Sequence, residues 1–141
     1  METTLNARGC FIYARNTGRF LFLLSNETGR FQYTWGIPGG KQEPNETARD
    51  CIVREIEEET GYKILTNFVP VDTFTNERGS FCYSTYFCSV EREFTPDLSD
   101  EHCGYCWTPL ENFPRPMHAG VFNSMREELT RDLLKELIST S

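Results

Sequence analysis

At 141 residues, with 38% hydrophobic and 13% aromatic side chains, the chain can build one real core but not two, so 1–141 reads as a single domain. A formal net charge of −7 argues against broad binding to nucleic acid, yet leaves room for a small anionic substrate neutralised locally. No apolar run approaches the roughly 20 residues of a membrane span, and METTLNARGCFIYAR lacks a secretory pattern, so the expected location is cytoplasmic.

In chain order, Cys10–Arg15 and Phe20–Ser25 are β-rich runs around Asn16-Thr17-Gly18, which predicts a hairpin. Phe31–Ile37 reads as a third extended run, ended by Pro38-Gly39-Gly40. A helix follows from Ala48, with Thr47 as N-cap, Asp50 completing a variant capping box and Gly61 as the stop. Asn67–Thr75 and Phe81–Glu91 predict strands joined through Asn76-Glu77-Arg78-Gly79. Gly104–Thr108 predicts a short strand, and Pro109–Phe113 a helical turn. The closing helix is marked by a Ser124/Glu127 capping box and a stripe of Met125, Leu129, Leu133 and Leu137, broadened by Leu134 and Ile138. Together these elements predict an α/β (α+β) domain with a mixed sheet.

The six cysteines are expected to be reduced thiols, most of them packed as small hydrophobes. His102, Cys103 and Cys106 form the one C-x-x-C arrangement. A structural zinc needs four ligands, and Cys10, Cys51, Cys82 and Cys88 supply no second pair. A zinc or redox module is therefore the weaker alternative.

The first helix carries the chemistry. At 100° per residue, Glu58 and Glu59 lie about −60° and +40° around the axis from Glu55. Ala48, Cys51 and Ile52 project to nearly the same side, so the three acids continue an apolar face. A solvated acidic helix is the ordinary meaning of such a run, and Glu57, on the outer side, fits it. Acids aimed at the protein body instead repel one another and lose hydration, which calls for a positive partner. A divalent cation meets that need.

The stretch GKQEPNETARDCIVREIEEETGY resembles the Nudix box, the signature of the Nudix (MutT-like) hydrolases. Gly40, Glu46, Arg54, Glu55, Ile56, Glu58, Glu59 and Gly61 fall on the pattern in register; Tyr62 stands where an aliphatic residue is usual. The resemblance implies an α/β/α sandwich around a mixed sheet. It also implies Mg²⁺- or Mn²⁺-dependent hydrolysis of a phosphoanhydride bond in a nucleoside diphosphate-linked compound. Glu55, Glu58 and Glu59 would be metal ligands, with the carbonyl of Gly39 adding another. Arg54 would orient the carboxylates, and Glu46 would tie the loop to the helix or join the outer metal shell. Glu58 or Glu59 would hold the attacking water; a second option is Glu101, on a later loop, as base or further ligand. Asp100 and Glu101 are otherwise a solvated loop, and His102 a bystander or an acid–base group.

Substrate choice is less legible. Arg8, Phe31, Tyr33, Trp35, Tyr83 and the Pro114–Asn123 segment, including Asn123, are candidates to line a nucleotide pocket. The compact chain, without the downstream motifs of specialised subgroups, favours nucleoside triphosphates or simple nucleotide derivatives. A homodimer is common among such proteins. The other reading of the intact domain is a catalytically silent nucleotide sensor.

Overall fold

A computed structural model describes residues 4–27 and 32–141. Its sheet is built from β1 (Leu5–Ala14), β2 (Arg19–Ser25), β3 (Trp35–Gly36), β4 (Gly39–Lys41), β5 (Val69–Thr75), β6 (Phe81–Val90) and β7 (His102–Thr108). The main path runs β3-β2-β1-β6-β5, with β4 added to β1 and β7 to β2. Among the described residues, every strand-to-strand ladder is antiparallel except β1 with β6, which run parallel from Leu5↔Phe81 to Ala14↔Val90. The sheet is mixed, as expected.

Strand alternation sends residues to opposite faces, and each face carries its own core. Cys10, Ile12, Leu21, Leu23, Cys88 and Trp107 pack with Ile52 and Ile56 of helix α1 (Ala48–Thr60). On the other side Phe11, Phe20, Phe22 and Phe87 meet Val121 and Leu134. These last two belong to helices α2 (Ala119–Arg126) and α3 (Glu128–Ser139). Helix–sheet–helix layering follows directly from two buried faces.

Some boundaries differ from expectation. β1 begins at Leu5 rather than Cys10, because its start is held by β6 and β4. The extended run expected over 31–37 narrows to Trp35–Gly36; Tyr33 turns the chain with a left-handed φ of 52°, and Phe31 lies outside the described residues. The single closing helix is two. Glu127, at φ −77° and ψ 124°, breaks it, so Ser124 caps nothing and sits buried inside α2. The apolar stripe is also rotated: Leu134 is fully buried, whereas Leu129 is 84% exposed. Thr130 and Leu134, four apart, form the buried row of α3.

Candidate active site

Helix α1 is held at both ends as its sequence predicts. Thr47 Oγ1 accepts from the Asp50 N–H at 3.0 Å, and Asp50 Oδ2 accepts from the Thr47 N–H at 3.4 Å. Gly61, at φ 78°, donates its N–H to the Glu57 carbonyl at 2.9 Å. Between these caps Glu55 and Glu59, one turn apart, are buried against the sheet. Glu59 Oε1 accepts the Gly39 N–H at 2.8 Å. Burial pushes the Glu59 acid well above its ordinary range; the charges of Glu55 and Glu101 add to that, and the Gly39 hydrogen bond opposes it. Glu55 is also raised, by burial first, with Arg54 pulling the other way.

Arg54 is the hub. Its Nε and Nη2 donate to the two oxygens of Glu46 at 2.6 and 3.0 Å, and Nη2 also donates to the Lys41 carbonyl at 2.9 Å. Nη1 donates to Glu55 at 2.8 Å and reaches Glu58 at 3.3 Å. The two-pronged contact with Glu46 exploits the planar guanidinium fork. It holds the Glu46 acid below its usual range. Glu46 thus ties the loop after β4 to α1, the first of the two roles the resemblance offers.

The third part comes from the turn before β7. Asn26 donates from its side chain to the Asp100 carbonyl and from its backbone to the Glu101 carbonyl at 3.0 Å. The β2–β7 register then slips: Leu24 pairs with Gly104, but Ser25 pairs with His102. Unbroken pairing would have matched Ser25 with Cys103. Such a bulge re-aims side chains, and here donor atoms of Glu59, Glu101 and His102 come within 4.8 Å of one another. They line a cleft of about 340 Å³ together with Gly39, Gly40, Tyr83 and His118. His102 Nδ1 is covered and has no hydrogen-bond partner among the described residues.

Space in the cleft depends on small residues. A Cβ on Gly40 would lie 2.4 Å from the Glu55 carboxylate, and one on Gly39 would lie 2.3 Å from the Arg8 carbonyl oxygen. The backbone approaches the acids because nothing stands between.

The remaining candidates are dispersed. Glu58 is not aimed at the body: its side chain is 56% exposed, lying to the side of the buried pair. Arg8 donates to Gln42 Oε1 at 2.7 Å and Tyr86 Oη at 2.8 Å. Tyr33 is exposed, and Trp35 packs with the second core. The Trp35 backbone also fixes the later segment, accepting from the His118 N–H and donating to the Pro116 carbonyl, both at 2.8 Å. Asn123 lines a second, larger groove of about 1080 Å³ between the sheet and α2–α3; this groove shares Gly40, Tyr83 and His118 with the cleft. Cys103 is exposed while Cys106 joins the second core, and all six cysteines are free. Cys103, the extra residue of the bulge, turns its Sγ to the Ser25 carbonyl at the surface, whereas Cys106 packs against the second core, so the two thiols lie in different surroundings. That removes the basis for a zinc or redox module. Asn26 was missed by sequence reasoning; its one signal is an asparagine at a strand end, common in any turn. Tyr62 fills its unusual position by stacking on Phe94 at 4.3 Å, which meets Trp107 edge-on.

A family model of the NUDIX domain matches residues 3–129. The Mus musculus protein "Nucleoside diphosphate-linked moiety X motif 6" is 32% identical over 107 residues, which are 72% of this chain and 34% of that protein's own length. "Nucleoside triphosphatase NudI" of Klebsiella pneumoniae is 30% identical over 112 residues, covering 70% of this chain and 78% of NudI. The solved MutT protein from Methanosarcina mazei Go1 superposes with a TM-score of 0.73 at 25% identity, over 94% of this chain and 96% of its own. With Glu55 and Glu59 of the box buried against the sheet and the family model spanning most of its length, the chain belongs to the Nudix hydrolases and is an enzyme of the phosphoanhydride linkage.

Proposed function

We propose that the cleft hydrolyses a phosphoanhydride bond in a nucleoside triphosphate or a similarly simple nucleoside diphosphate-linked compound, with Mg²⁺ or Mn²⁺ as cofactor. The observation that carries this reading is the convergence of Glu59, Glu101 and His102 within 4.8 Å, beside the Gly39–Gly40 backbone. Similarity to NudI, by name a nucleoside triphosphatase, supports the triphosphate class over larger adducts.

The residues suit a divalent cation. Acids pressed toward protonation by burial first and by one another's charge second call for positive charge, and oxygen donors are what such ions prefer. Glu55, Glu58, Glu59 and Glu101 would hold it, with the Gly39 carbonyl. When bound, it would neutralise substrate oxygens and lower the pKa of water. The protein's own part is positioning. Arg54 fixes Glu55 and steadies Glu58, while Glu46 and Lys41 fix Arg54. Glu58, which is exposed, or Glu59 would take a proton from the attacking water; Glu101 is the alternative base. Tyr83, His118 and Asn123 would receive the nucleoside part along the shared wall of cleft and groove. Arg8, Tyr33 and Trp35 would act at its margin. The reading takes 1–141 as one catalytic domain working in the cytoplasm, alone or as a homodimer.

A panel of nucleoside triphosphates, ADP-ribose, dinucleoside polyphosphates and nucleotide sugars, each with Mg²⁺ and with Mn²⁺, tests it by product identity. Turnover of triphosphates, abolished by a chelator, is the expected result. Ligand binding without cleavage of any of them would favour the silent sensor instead.

A further inference from the structure

We infer that His102 is a direct ligand of the cation in the cleft, giving the centre an imidazole nitrogen beside its carboxylates and tilting its preference from Mg²⁺ toward Mn²⁺ and Co²⁺. The inference rests on the metal-dependent reading above, and its test separates the two.

Three observations converge on His102. A ring nitrogen lies within 4.8 Å of carboxylate oxygens of both Glu59 and Glu101. Nδ1 is covered from solvent yet takes no hydrogen bond among the described residues. A buried polar atom without a partner is costly and rare; ligation through Nδ1 would satisfy it. Third, the backbone is bent to bring the ring there. The bulge opposite Ser25 and the turn held by Asn26 set His102 at the cleft, with the His102 N–H donating to the Ser99 carbonyl at 3.2 Å. A bystander would need none of this.

The donor set decides the metal. Mg²⁺ is a hard ion that keeps its waters and takes oxygen ligands. Imidazole favours first-row transition metals. A site of carboxylates alone would lack that bias.

The test is pulsed electron paramagnetic resonance of the Mn²⁺-loaded full chain. Wild-type protein should show modulation from a directly bound nitrogen, moving from ¹⁴N to ¹⁵N frequencies when the protein is grown on imidazole-¹⁵N histidine. The chain has two histidines, so His118→Gln should keep the signal and His102→Gln should lose it. Gln returns an oxygen donor, so His102→Gln should still bind Mn²⁺, with its Mn²⁺-over-Mg²⁺ affinity ratio reduced by roughly tenfold or more, at least the cost of losing an outer-shell partner. Mn²⁺ bound without nitrogen modulation would overturn this inference and leave the metal-dependent reading standing. Modulation that survives His102→Gln, or disappears in His118→Gln, would also overturn it. Failure of the wild type to bind Mn²⁺ would overturn this inference, and failure to bind Mg²⁺ as well would overturn both. The isotope shift in unmutated protein keeps the test decisive even where a variant folds poorly.

Discussion

Gly40→Ala is the substitution whose outcome the site geometry constrains most tightly. Gly40 does not use a left-handed φ, so alanine suffers no backbone strain there, and the effect isolates space alone. The new methyl would lie 2.4 Å from the carboxylate carbon and Oε1 of Glu55 and 2.5 Å from Oε2. Glu55 is buried and tied to Arg54 at 2.8 Å, so it cannot simply swing to solvent. Overpacking of this kind costs about 1–3 kcal/mol. Loss of chain entropy in the unfolded state returns about 0.4–1 kcal/mol. A net loss of up to roughly 2.5 kcal/mol follows, together with a displaced Glu55 and reduced turnover. Gly104→Ala is the control: its methyl would meet Leu24 at 3.6 Å, ordinary contact, and should stay within about 0.5 kcal/mol. Urea denaturation of both variants, alongside steady-state hydrolysis, reads the difference. A Gly40→Ala protein as stable and active as wild type would refute the claim that this glycine makes room for the acid.

Glu58→Gln should cut kcat by roughly 10²–10⁴-fold while leaving the urea midpoint unchanged, since the side chain is exposed; wild-type rates would reject its role. Arg54→Lys should lower stability by about 1–3 kcal/mol in the same denaturation assay, because one ammonium cannot serve Glu46, Glu55 and Lys41 together. Glu93 offers a pH test. Burial alone would raise its acid, but hydrogen bonds from Arg19 and Thr17 bring it below the ordinary 4.5. A depressed folded-state value contributes stability above the unfolded pKa that is lost as pH falls through the folded one. The stability gap between wild type and Glu93→Gln should therefore be flat above about pH 5 and shrink below the ordinary value. Leu134→Ala should cost about 2–5 kcal/mol and Leu129→Ala under about 0.5 kcal/mol, as thermal denaturation would show.

What could be read in advance was local. Helix α1 announces itself through Thr47, Asp50 and Gly61, all within one stretch of chain, and its acids through their spacing. The start of β1 was hidden because Asn6, Arg8 and Gly9 interrupt any β-rich run, and the segment becomes a strand only by pairing with β6 and β4. The break at Glu127 was hidden for the opposite reason: Ser124 and Glu127 mimic a helix start, but the true face of α3 is fixed by packing at Leu134. Burial also separated Glu55 and Glu59 from Glu58, a distinction that angles around an axis blur. His102 owes its place to a register slip between strands. No periodicity in the sequence records that.

The lone parallel ladder at the heart of the sheet bears on how the enzyme is born. β1 and β2 share only Tyr13↔Phe20 and Ala14↔Arg19 before they part, and such a hairpin scarcely persists in water. The strand that anchors Gly39 must wait for Phe81–Val90 to leave the ribosome, so during synthesis Phe11, Phe20 and Phe22 have nothing to cover them. Distant pairing of this type slows folding. Chaperone dependence during expression, relieved only once β6 and then α2 and α3 are translated, is the cellular trace such an architecture should leave.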